Sequence, residues 1–77
     1  MSGRKKTEKF FRDYLTTMGI DCSTWQSVVR VLDKTPHYTY YNVKFYWANG
    51  YCEIRDVRSV NGQIKDFYAP ELHKVGE

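Results

Sequence analysis

The sequence predicts an α+β domain, with one N-terminal amphipathic helix packed on an antiparallel meander of three or four strands. Three observations carry that expectation. Apolar residues recur at helical spacing between Thr7 and Met18. Aromatic and β-branched residues alternate on both sides of Asn49-Gly50. A second Asn-Gly pair, Asn61-Gly62, marks another tight turn. The 77 residues make one domain, read as 7–75 behind a basic, flexible lead-in at 1–6. A chain this short is marginally stable alone, and pairing with a second copy is a common supplement.

The helix is read over 7–18. Phe11, Tyr14, Leu15 and Met18 fall at i, i+3, i+4 and i+7, and Phe10 widens the stripe. Gly19 suits the position just past the helix end, with Ile20 making the accompanying apolar contact. Glu8–Arg12 and Lys9–Asp13 are i,i+4 pairs for the exposed side.

Residues 21–35 admit two readings. Trp25, Val28, Val29 and Leu32 fit a helical stripe, and Ser23 with Gln26 fits a capping box. Trp25, Val29 and Val31 also alternate, within the β-rich run Val28–Leu32. The strand reading is preferred because it gives the long aromatic strand a second neighbour, and two strands alone are seldom stable. Asp33-Lys34-Thr35-Pro36 is then a hairpin loop.

The central hairpin covers 37–58, with a type I′ turn at Asn49-Gly50. That loop pairs Ala48 with Tyr51, Trp47 with Cys52 and Phe45 with Ile54. Tyr41, Val43, Phe45, Trp47, Cys52 and Ile54 then share an apolar core face. Tyr38, Tyr40, Lys44, Tyr46, Tyr51, Glu53 and Arg55 take the other. After Asn61-Gly62, residues 63–68 form a further strand. Its register pairs Val57 with Asp66 and Asp56 with Phe67, a mismatch that a bulge near Arg55-Asp56 or a longer loop would repair. The chain leaves the sheet at Pro70, Leu72 and Val75 anchor a helical turn, and Gly76-Glu77 is loose.

The net charge of +3 is concentrated. Arg4, Lys5, Lys6, Lys9 and Arg12 stand against Glu8 alone in the first twelve residues, while the rest of the chain is nearly balanced. No signal peptide, spanning segment or lipidation motif is seen, so a cytoplasmic setting without membrane is expected. Cys22 and Cys52 make no disulfide framework, and Cys52 falls on the core face. Cys22, His37, Cys52 and His73 lack the spacing of a metal site. No Gly-rich phosphate loop or metalloprotease motif occurs, and no cofactor is expected.

Arg4, Lys5 and Lys6 at a helix start oppose the macrodipole. Phosphate binding would give that placement a purpose. Tyr38, Tyr40 and Tyr46 on the second sheet face could stack bases, each worth roughly 1–3 kcal/mol. The expected phosphate contacts are Arg4, Lys5, Lys6, Lys9 and Arg12, with Lys44, Arg55 and Arg58 adding charge. The first expectation is therefore a small non-enzymatic module for RNA or a single strand. The alternative is a protein-binding inhibitor or regulator acting through the same aromatic face, since Tyr and Trp are enriched at interface hot spots.

The order helix, Gly19, strand, His37, strand, strand resembles HicA-type toxin ribonucleases, which have a double-stranded-RNA-binding-like fold and one catalytic His. The resemblance implies a metal-independent ribonuclease with His37 as the catalytic residue. Thr35-Pro36 and Tyr38 stand where that family has small residues, and Asn61-Gly62 and Pro70 interrupt its closing helix. A double-stranded-RNA-binding domain proper starts its last helix with lysines, where residues 63–77 have only Lys65 and Lys74. The RNP pattern of an RNA-recognition motif is absent. Small size, aromatic density and the Arg-Lys-Lys start resemble small early proteins of large bacteriophages, which implies nucleic-acid binding or blockade of a host protein.

Overall fold

The structure, a computed structural model, describes residues 3–75. Over these the chain forms helix α1 (Gly3–Thr17) and strands β1 (Gln26–Lys34), β2 (Thr39–Trp47), β3 (Gly50–Val60), β4 (Gln63–Asp66) and β5 (Glu71–Lys74). The strands make one antiparallel sheet in the order β1-β2-β3-β4, with β5 also on β3. The expected α+β meander is present. The expected looseness of Gly76-Glu77 lies outside the described residues, as do Met1 and Ser2 of the lead-in.

The helix starts at Gly3, so Arg4, Lys5 and Lys6 belong to its first turn and not to a flexible lead-in. It buries Thr7, Phe11 and Leu15, one residue per turn along a single line. Thr7 can be buried because its hydroxyl donates to the Gly3 carbonyl at 2.7 Å. The helix ends as Gly19 predicts. Gly19 takes φ 83°, its N–H donates to the Thr16 carbonyl and the Ile20 N–H to the Leu15 carbonyl, both at 3.0 Å.

Arg12 ties the helix to the segment that follows. Its guanidinium donates to Glu8 Oε2 at 3.0 Å and to the carbonyls of Cys22 and Trp25 at 2.6 Å each. It also lies 5.1 Å from the Phe45 ring centroid. Trp25, so positioned, stacks on Trp47 at 4.3 Å. Residues 26–34 are strand, and the capping-box reading at Ser23 falls away because Val29 and Val31 pair with Val43 and Tyr41.

The central hairpin has the expected faces and a different turn. Trp47 pairs with Gly50 and Phe45 with Cys52, so the loop is Ala48-Asn49. Only Asp56, Asn61, Gly19 and Gly62 have positive φ among the described residues, which excludes a type I′ turn at Asn49-Gly50. Between the turn and the bulge at Asp56 each partner moves by two residues, and a shift of two preserves the side on which each side chain stands. Tyr41, Val43, Phe45, Cys52 and Ile54 are therefore buried as expected, with Trp47 half-buried. Fully burying an apolar side chain contributes about 1.5–3 kcal/mol, so these residues with Phe11 and Leu15 dominate the core. Asn61 and Gly62, at φ 53° and 77°, do form the left-handed pair.

A bulge at Asp56, φ 50°, restores the apolar pattern of β3. Tyr41 pairs with Val57 and Val43 with Ile54, with an extra residue between them on β3. Strict alternation from Ile54 would bury Asp56 and Arg58; the bulge buries Val57 and Ser59 instead.

The C-terminal segment corrects the sequence reading. In place of a helical turn, β5 returns to the sheet and pairs with the first half of β3, Tyr51 with His73 and Cys52 with Leu72. The Val75 N–H extends the ladder to the Asn49 carbonyl at 2.7 Å. β4 pairs with the second half, so the two short strands share one flank of β3. Between them Phe67 packs edge-on to Phe11 at 4.9 Å and Tyr14 at 5.3 Å. The helix thus covers one face of the sheet and the other stays open. No described helix is long and apolar enough to cross a membrane.

Candidate nucleic-acid interface

Two surfaces hold the residues expected to bind: the open sheet face, and the end of the molecule where α1 begins. On the sheet face Lys44, Arg55 and Arg58 each face an acid, while exposed Arg30, opposite Asn42, makes no ion pair among the described residues. Lys44 Nζ lies 3.9 Å from Glu53, Arg55 bonds Glu71 at 3.0 Å, and Arg58 grips Asp66 at 2.7 Å. The tyrosines are engaged with neighbouring rings as well. Tyr46 lies 5.8 Å from Tyr51, which stacks on His73 at 4.7 Å, and Tyr38 meets Tyr40 edge-on at 5.0 Å. Tyr40 also borders a recess lined by Asp33, Asp56 and Asp66, an environment that repels phosphate.

The helix start is different in kind. A cleft of about 680 Å³ opens between the first turns of α1, the loop joining β1 to β2, and the Asn61-Gly62 turn. Lys6, Lys34 and His37 line it, with no Asp or Glu among the lining residues. Lys6 reaches across from the helix, its Nζ 3.6 Å from where a Cβ on Gly62 would sit. Arg4 lines an adjoining recess with Lys34 and Tyr41. The helix has no acid in its first turn, so its positive dipole end adds to these charges. Among the described residues Arg4, Lys6 and Lys34 make no ion pair.

Local chemistry fixes the loop wall. Thr35 and Tyr38 close a turn in which the Thr35 N–H donates to the Tyr38 carbonyl at 2.8 Å. The Thr35 hydroxyl accepts from the N–H groups of His37 and Tyr38, each at 3.1 Å. Pro36 sits at the second turn position, where its φ is preset. His37 is thereby held exposed at the rim.

The expected residues therefore separate. Arg4 and Lys6 stand at the cleft and its neighbour, and Lys5 shares their turn. Lys9 pairs with Asp13 at 3.0 Å, away from the cleft lining. Arg12 is committed to Glu8 and two backbone carbonyls. Glu8 is held below the usual carboxylate range, first by its Arg12 hydrogen bond and then by the Ser27 hydroxyl. Lys34 and His37 are additions that sequence reasoning did not bring to this surface. Their only sequence signal is a basic residue on each side of the Thr35-Pro36 turn, and nothing local says that this loop meets the helix start.

Cys22 and Cys52 are both buried free thiols, and burial pushes Cys52 up to about 11, leaving it a poor nucleophile at neutral pH. Among the described residues no group of three or more His, Cys, Asp or Glu side chains is placed to hold a metal ion. Comparison with known families, curated proteins and solved structures finds no match.

Proposed function

We propose that the protein is a small non-enzymatic module that binds RNA or single-stranded nucleic acid through the cleft at the start of α1. The observation that carries this reading is the acid-free cleft lined by Lys6, Lys34 and His37, with Arg4 beside it. Cations that lack acidic partners are available to phosphates, and each contact releases condensed counterions. Tyr38 also lines the cleft, and its ring, edge-on to Tyr40, is the aromatic group near a bound phosphate on which a base would stack. Binding of fluorescent single- and double-stranded RNA and DNA at about 50 and 200 mM salt tests the reading. It predicts preference for single strands and marked weakening at the higher salt. Absence of binding at low salt overturns it.

A second reading has its own observation. The open sheet face pairs Lys44, Arg55 and Arg58 with acids, leaving Arg30, and it exposes Tyr46 at 40% and Val28 at 46%. A face whose cations are mostly paired, with exposed apolar groups, suits a protein partner better than a polyanion. On this reading Tyr46→Ala leaves the fold and nucleic-acid affinity unchanged and abolishes capture of that partner. Tyr46→Ala that unfolds the domain removes the support, because the ring is then structural.

A further inference from the structure

We propose that the cleft is an end-capture site, taking the terminal phosphomonoester of a nucleic-acid strand with the Tyr41 hydroxyl as a donor. This rests on the nucleic-acid reading above and adds which part of the strand is held. Tyr41 is 6% exposed and lines both the cleft and the adjoining recess. Its hydroxyl reaches the start of the helix, where a Cβ on Gly3 would lie 2.5 Å from the oxygen. Among the described residues that hydroxyl makes no hydrogen bond. The ring is buried in the sheet while the hydroxyl meets the cleft and bonds no described residue, so it is placed to donate to an acceptor supplied from outside.

The surroundings select an anion and favour a chain end. The start of α1 lies at this cleft, and its first turn holds no acid to offset the positive end of the helix dipole. Lys6 and Lys34 add two positive charges with no acid on the lining. An internal phosphodiester carries one negative charge; a terminal monoester carries about 1.5 to 2 at pH 7 and three strong acceptor oxygens. The monoester is the better match to two lysines, a hydroxyl and a helix start. The cleft is walled by the helix, the β1–β2 loop and the Asn61-Gly62 turn, which suits a strand that stops there. Its 680 Å³ is of the size that holds one small ligand, here one terminal nucleotide.

The test uses one short single-stranded sequence carrying an internal dye, prepared with a 5′-phosphate, a 3′-phosphate or hydroxyls at both ends. Anisotropy titrations compare the full-length protein with Tyr41→Phe and Lys34→Ala, each checked for folding by circular dichroism. At least one phosphorylated form is expected to bind about tenfold or more tighter than the hydroxyl-ended form, and the better end identifies the polarity. Tyr41→Phe, which keeps the ring, removes that preference while leaving the hydroxyl-ended affinity in place. Lys34→Ala narrows the same gap. Equal affinity for all three forms overturns the proposal and leaves the nucleic-acid reading intact, as does a preference unaffected by both substitutions. Failure of every form to bind overturns both.

Discussion

At the scale of single residues, cations of one cluster have opposite fates. Arg4 and Lys6 stand at the end of the molecule without ion-pair partners among the described residues, while Arg12, two turns on, is a structural tie. An arginine suits that tie because its planar fork serves three acceptors at once, which a lysine cannot do. The Glu8–Arg12 pair was legible in the sequence as an i,i+4 spacing. The two carbonyls of the Cys22–Trp25 segment were not, because they come from a loop whose path is set by tertiary packing. Glu8 carries a pH consequence. Its carboxyl titrates below the ordinary value, so its stabilisation is full above the unfolded-state pKa and is lost as pH falls through the folded one. Urea unfolding is therefore expected to find Glu8→Gln less stable than the parent near neutral pH, with the gap shrinking as the solution is acidified through the carboxylate range. A constant gap across that range would show that the carboxylate charge is not the source.

At the scale of elements, two Asn-Gly pairs take two conformations. Asn61-Gly62 forms the left-handed turn that its residues favour. Asn49-Gly50 does not, because Gly50 enters β3 under the returning β5. A Cβ there would collide with the His73 carbonyl and stand 2.9 Å from the Trp47 ring. The glycine is needed for close approach of two backbones, a demand made by residues more than twenty positions away that local turn chemistry does not reveal. Gly50→Ala is expected to cost about 1–3 kcal/mol, as overpacking does, read as a lowered urea midpoint. An unchanged midpoint would mean that β5 does not pack as described. The faces of the hairpin were legible because a two-residue slide leaves them unaltered, and the Asp56 bulge was legible as a mismatch in the β3–β4 register. β5 was not legible: Pro70 ends one strand, and four residues are too few to declare the next.

At the scale of the whole molecule, charge is sorted by place. The helix start and the β1–β2 loop gather cations without acids, while on the open sheet face Lys44, Arg55 and Arg58 are each paired with an acid. A net charge of +3 hides that separation, and the first twelve residues reveal half of it. The other half, Lys34 and His37, arrives only when the first hairpin lies beneath the helix. The most direct measurement of the central claim is the slope of log affinity for single-stranded RNA against log salt concentration, for the parent, a Lys6→Ala/Lys34→Ala double variant and Lys44→Ala. Each lost phosphate contact on a single strand lowers the slope by about 0.7. The account predicts a slope reduced by roughly twice that in the double variant and unchanged in Lys44→Ala, whose amine already faces Glu53. A slope unchanged by the double substitution, or one reduced only by Lys44→Ala, would contradict it.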